Sequence, residues 1–188
     1  MEFITSNHSI PDAVMLAIHT PNGTVIHTGD FKIDCTPIAG NMIDLGRLGE
    51  LGKKGVLALL SDSTNVERPG YTMSESSVGE TFEDIFSNYT KQRIIVATFA
   101  SNVHRVQQLK HGRKVAVSGR SMENIVEVAS LLGYIDIPKG TLINLDDIGR
   151  YKPSQLVLCT TGSQGEPMSA LTRIAFSGHR KVEVTKGD

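Results

Sequence analysis

Residues 156–167 read LVLCTTGSQGEP: four apolar residues, a threonine- and glycine-containing loop, and a proline. A short continuous apolar run ending in such a loop is the pattern of a buried strand. Pro167 is predicted to open the following helix, at the first-turn position where its missing N–H costs nothing. Two other stretches have the same form, VATFASN at 96–102 and VAVSGRSMEN at 115–124. We therefore predict strands at Ile94–Thr98, Val115–Val117 and Leu156–Cys159, and a last one at His179–Val184. Helices fall between them. Phe82, Ile85, Phe86 and Tyr89 have the i, i+3, i+4, i+7 spacing of one buried helix face. A short helix is predicted over Asn102–Leu109. Met122, Ile125, Val126, Ala129 and Leu132 share a face, with Gly133 as the stop. Strand–helix alternation of this kind predicts an α/β fold with a mostly parallel sheet flanked by helices.

Towards the N-terminus the pattern changes. AVMLAIHT and TVIHTGDF flank Pro21-Asn22-Gly23 and predict a hairpin over residues 13–30. A turn centred on Asn22 sets Asp30 opposite Val14. The opening MEFITSNHSIPD shows neither a helix start nor a strand pattern. Another strand is predicted at Val56–Leu60. The Pro-, Gly- and Ser-rich stretch ERPGYTMSESS (67–77) then marks a boundary between two parts, residues 1–70 and 71–188.

Composition narrows the classes. The 188 residues carry 19 basic and 20 acidic side chains, which argues against a polybasic nucleic-acid coat and an acidic tail. Cys35 and Cys159 are too few for a disulfide framework or a four-thiolate metal site, which suits a reducing cytoplasm. No apolar run approaches the roughly 20 residues of a membrane span, and no signal-peptide pattern opens the chain.

In an open parallel sheet, ligands bind beyond the carboxyl ends of the strands, where helix N-termini favour anions. Ser101, Ser118, Ser121, Thr161 and Ser163 supply hydroxyls there, and Arg105 and Arg120 supply cations for phosphate. Any one such loop more often merely caps a helix, but three of them along one sheet edge point towards a phosphate site. His8 and Asp30 are candidate metal ligands, although a lone His beside a Pro and a lone Asp after a Gly are usually loop polar groups. Zinc takes three or four protein ligands, and H-x-H-x-D-H, C-x-x-C and H-E-x-x-H are all absent. So are G-x-S-x-G and the Walker loop, which disfavours an α/β-hydrolase and a P-loop NTPase.

SNHSIPD, HTGDFKID, LLSDSTNVERPGYT, ATFASNVHRVQQ, GRKVAVSGRSMEN and CTTGSQGEPMSAL together closely resemble bacterial ribonuclease J. The resemblance covers nearly the whole chain. It implies a metallo-β-lactamase-fold ribonuclease with an inserted β-CASP domain. Residues 1–70 would be the tail of the lactamase αββα half and 71–188 most of the β-CASP domain. It further implies two zinc ions and hydrolysis of RNA, with 5′-to-3′ exonuclease and endonuclease activity, on single-stranded RNA with a 5′ end, by a cytoplasmic homo-oligomer. His8 matches a zinc ligand, Asp30 the aspartate bridging the two metals, and Asp62 an acid/base or hydrogen-bonding residue. Phe99, Ala100 and Ser101 match a segment lining the RNA pocket. The family's histidine-rich zinc motif and its H-x-S-G-H-A segment have no counterpart in this chain, which therefore reads as a central fragment, inactive alone. The alternative is a non-catalytic RNA- or phosphate-binding module. A third possibility is a decaying fragment with no stable fold: without the lactamase core the hairpin at residues 13–30 has nothing to pack on, and isolated hairpins are marginal. Between Gln108 and Lys110 the chain is about half a dozen residues shorter than the family pattern.

Overall fold

Strand β1 (Glu2–Thr5) pairs antiparallel with β2 (Val14–Thr20), which turns through Pro21-Asn22 into β3 (Gly23–His27). The computed structural model describes residues 1–109, 111–186 and 188, in two units, Met1–Val78 and Gly79–Asp188. The shortening expected beside Lys110 lies outside the described residues. A first strand was not predicted from MEFITSNHSIPD. Four residues are too few to display a period, and β1 forms because its Ile4 pairs with Met15 and both are buried. The two-residue turn pairs Leu16 with His27. That register is one residue off the predicted one and brings Gly29, not Asp30, to the backbone of Val14.

Helix α1 (Leu45–Lys54) covers the hairpin. Asp44 caps it by accepting from the Arg47 N–H at 2.8 Å, and Lys53 and Lys54 stand in its last turn, where the helix dipole favours cations. Ile4, Met15, Ala17, Ile26, Ile43 and Leu51 form one core, with Phe31, Leu48 and Val56 packed on it. The hairpin is thus not left without a partner. Strand β4 (Ala58–Leu60) joins β3 in parallel, giving the sheet order β1-β2-β3-β4.

Helix α2 (Glu75–Asn88) leads into the second unit. There follow β5 (Ile94–Ala97), α3 (Val103–Gln108), β6 (Lys114–Ser118), α4 (Arg120–Leu131), β7 (Leu142–Ile143), β8 (Leu156–Thr160) and α5 (Ala170–Ala175), with short 3₁₀ turns between β7 and β8. The sheet order is β5-β8-β6-β7 and every pairing is parallel, the predicted α/β layout. Strand β8 is buried along its whole length, which explains why LVLC carries no polar alternation. Ala116, Leu158, Ile174 and Val182 pack together beside it.

Three local predictions fail. Glu166 to Ser169 form a turn, and α5 starts after Ser169, whose Oγ accepts from the Thr172 N–H; the capping hydroxyl, not Pro167, opens the helix. Residues 179–184 form no strand, although Val182 is buried. Tyr89 and Leu132 are exposed, so their helix faces are narrower than predicted.

Candidate functional site

Because β1 and β3 are each antiparallel to β2, and β4 is parallel to β3, the carboxyl ends of β1, β3 and β4 share one end of the first sheet. His8 follows β1, Asp30 follows β3 and Asp62 follows β4, so topology alone gathers residues distant in sequence. Asn7 anchors the first loop: its Oδ1 accepts from Ile43 N–H at 2.8 Å and its carbonyl from Lys32 N–H at 2.7 Å. The Asp62 N–H donates to Thr28 Oγ1 at 2.9 Å, tying the third loop to the second.

In this corner the His8 Nε2 lies 3.7 Å from Asp30 Oδ2. Two ligands on one tetrahedral zinc, each about 2.0–2.2 Å from the metal, stand about 3.4 Å apart. The pair therefore fits one edge of a zinc shell within a few tenths of an ångström. Both side chains are open to solvent, Asp30 at 76%. Asp62 lies near enough to feel His8. Its carboxyl is held below the usual range, first by the Thr64 N–H, then by the Thr64 hydroxyl, the Phe31 N–H and His8, with slight burial opposing. It is ionised at neutral pH. Among the described residues no group of three or more His, Cys, Asp or Glu is placed to hold a metal, so the pair fits a part of a shell and not a whole one.

The second unit presents a different edge. At its sheet's carboxyl end the Thr98 N–H donates to Thr160 O at 2.9 Å, joining the loops after β5 and β8. Gly119, after β6, has φ +123°, and a Cβ there would stand 3.0 Å from Thr161 Oγ1. Glycine lets the loops after β6 and β8 touch. Phe99, Ala100, Ser101 and Ser163 occupy the β5 and β8 loops, with Phe99 and Ser163 exposed. Asn102 caps α3 through the Arg105 N–H at 3.1 Å. Arg105 turns its guanidinium back to Thr98 Oγ1 at 3.4 Å. Ser121 is exposed in the first turn of α4. Ser118 and Arg120 face elsewhere. They line a cleft with Arg173, His179, Arg180 and Lys181, four residues the sequence reading left out of any site. The run His179-Arg180-Lys181 was the signal available for three of them.

Residues 91–188 match the family model described as ribonuclease J, beta-CASP domain. Over its full length the chain is 50% identical to Ribonuclease J of Synechocystis sp., of which it covers 30%. It is 42% identical to Ribonuclease J2 of Bacillus subtilis, covering 35%, and 48% identical to Ribonuclease J of Corynebacterium glutamicum, covering 27%. The chain thus spans about a third of the length of these relatives. The alignments run over 193 positions, more than the 188 residues of the chain. A crystal structure of a protein of unknown function from Enterococcus faecalis V583 is similar with a TM-score of 0.58 and 14% identity, covering 86% of this chain and 41% of that one. At that identity the likeness concerns the fold alone.

Proposed function

Because this chain belongs to the ribonuclease J family, we propose that it forms the middle of a zinc-dependent ribonuclease, with a partial metallo-β-lactamase domain in residues 1–70 and a β-CASP domain in 71–188. The reaction is hydrolysis of RNA phosphodiesters, by 5′-to-3′ exonucleolytic and endonucleolytic cleavage of single-stranded RNA. The protein works in the cytoplasm as a homo-oligomer. The observation that carries this reading is the His8–Asp30 pair, at zinc-edge spacing, on the sheet end that also holds Asp62.

His8 and Asp30 would hold the metal, with Asp30 the ligand common to both ions by family resemblance. When bound there, zinc would supply Lewis-acid chemistry, lowering the pKa of a water and offsetting charge on the phosphate oxygens. Asp62, ionised and fixed by Thr64, orients a proton on the attacking or departing oxygen. Phe99 offers a face on which a base can stack. Ser101 and Ser163, with Ser121 nearby in sequence to Arg120, donate to the RNA's phosphate oxygens, while Arg105 shapes the β5 loop through Thr98.

A complete structural zinc site contributes about 10–16 kcal/mol of apparent binding energy. Two ligands of four supply about half, so this chain alone holds zinc with a dissociation constant from about micromolar to sub-millimolar. Competition against a chromophoric chelator measures it. We expect that weak binding, its loss in His8→Ala, and no RNA cleavage by the chain alone with zinc added. Two ions per chain held at nanomolar affinity would overturn the reading of a partial shell. Zinc binding unchanged in a His8→Ala/Asp30→Ala double variant would overturn the ligand assignment.

A further inference from the structure

The carboxyl ends of β6 and β7 open onto a cleft of about 820 Å³, bounded by the first turn of α4, the turn after β7, α5 and the segment after α5. Its described lining includes none of the residues 98–102 or 161–165. Four cations meet there: Arg120, Arg173, Arg180 and Lys181. Two carboxylates share the cleft, Glu123 and Asp146, and Asp146 is already taken by Lys181 at 2.6 Å. Arg120, Arg173 and Arg180 make no ion pair among the described residues. In a chain of net charge −1, three uncommitted guanidinium groups around one concavity repel one another, and a bound anion relieves that repulsion.

The floor of the cleft is polar in a directed way. His179 Nδ1 accepts the Lys181 N–H at 3.3 Å, so the neutral ring carries its proton on Nε2. That N–H donates to Ser118 Oγ at 3.2 Å. Ser118 is fully buried, and with its oxygen accepting, its own O–H proton has no acceptor among the described residues. Buried hydroxyl protons are rarely left unmatched. Beside it, Gly119 precedes the first residue of α4 and supplies no side-chain cap, so the first-turn amides of this 12-residue helix also lack a side-chain capping acceptor. Arginine forks, an unspent hydroxyl and uncapped amides all require the same thing, an oxyanion.

We propose that this cleft binds the phosphate of a nucleotide, at a subsite separate from the loops after β5 and β8. Pockets of about 300–1,000 Å³ hold ligands of nucleotide size. The choice of a nucleotide among phosphate esters rests on the ribonuclease reading; the phosphate chemistry does not. Arg173 and Arg180 form its fork, Arg120 closes it from α4, and Ser118 donates from the floor, held in place by His179.

Calorimetry with UMP at low ionic strength tests this on the chain itself. Arg173→Gln and Arg180→Gln each remove one charge-assisted contact, and each should weaken UMP about tenfold, the double variant about a hundredfold. Both arginines are exposed, so the fold should persist, which an unchanged thermal transition verifies. Arg180→Lys keeps the charge but not the fork and should lie between wild type and Arg180→Gln. Unchanged UMP affinity in the double variant would overturn the proposal. So would uridine binding as tightly as UMP, and inorganic phosphate binding as tightly would overturn the nucleotide assignment. A 5′-phosphorylated tetrauridylate identifies the source. Its loss in the double variant places the subsite on the RNA path, and its retention while UMP is lost assigns a free nucleotide; either supports the cleft. No readout involves zinc or cleavage, so failure here and failure of the His8 test are distinguishable.

Discussion

Asp34 offers the sharpest test of how the first unit is held together. Its carboxylate is 4% exposed and accepts from Thr36 N–H at 3.0 Å, Ser74 Oγ at 2.7 Å and Glu75 N–H at 3.0 Å, with Lys32 Nζ at 3.5 Å. It thereby fastens the segment following Asp30 to the start of α2. Burial pushes its carboxyl up, but Ser74, the two amides and Lys32 together hold it below the usual range. Asp34→Ala removes all of these. Thr36 is exposed and its amide can turn to water, as can Lys32, which leaves two contacts to count. At about 1.5–3 kcal/mol for each hydrogen bond to a charged group, the loss is about 3–6 kcal/mol at pH 7. With a urea slope of about 1–3 kcal/mol per molar, the midpoint followed by circular dichroism should fall by about 2 M. The pH dependence has a definite sign. Since the folded carboxyl is depressed, its contribution is complete above the unfolded value of about 3.9 and is lost as pH falls through the folded one. The gap between wild type and variant should therefore close below about pH 4. A midpoint shift under about 0.5 M at pH 7, or a gap that widens on acidification, would falsify this account of Asp34.

Two further substitutions or probes are direct. Gly162 has φ +115°, and a Cβ would stand 2.8 Å from Ser169 Cβ and 2.9 Å from Leu171 Cβ, so Gly162→Ala should cost about 2–4 kcal/mol, read as a lowered thermal midpoint. A midpoint within a degree of wild type would mean that the β8 loop and α5 do not approach as described. Burial pushes the Cys159 thiol up to about 12, only partly offset by Arg105, whereas Cys35 is exposed. A colorimetric thiol reagent should therefore titrate one thiol at once at pH 8 and the second only when urea unfolds the second unit.

How far the sequence revealed this molecule follows from the length of its elements. The second sheet was legible because its strands are apolar runs bounded by glycine and hydroxyl residues, and because α2 and α4 repeat their buried residues at helical spacing. Strand β1 was hidden by its four residues. Helix α1 was hidden by Gly46, Gly49 and Gly52, each of which costs about 1 kcal/mol against alanine in a helix. That helix forms because Leu51 is buried and Asp44 caps it, and neither effect is visible without the sheet beneath. The hairpin register slipped by one because Pro21-Asn22-Gly23 fits a two- or a three-residue connection equally well on paper.

The sites divide along the same line. Residue type at a strand end marks a candidate, but only strand direction decides which candidates meet. His8, Asp30 and Asp62 are scattered along the chain and converge because β1, β3 and β4 all point the same way. Ser118 and Arg120 sit in a motif that reads as one of three equivalent loops, yet the order β5-β8-β6-β7 puts β7 on their other side. They therefore face the turn after β7 and the segment after α5, not the loop carrying Phe99. His179, read from sequence as the start of a strand, is freed from a ladder and spends its ring on Ser118. A strand there would have paired its backbone and sent alternate side chains of Arg180 and Lys181 to opposite faces. The irregular path instead lets both line the same cleft, and that departure from regular structure is what concentrates the charge.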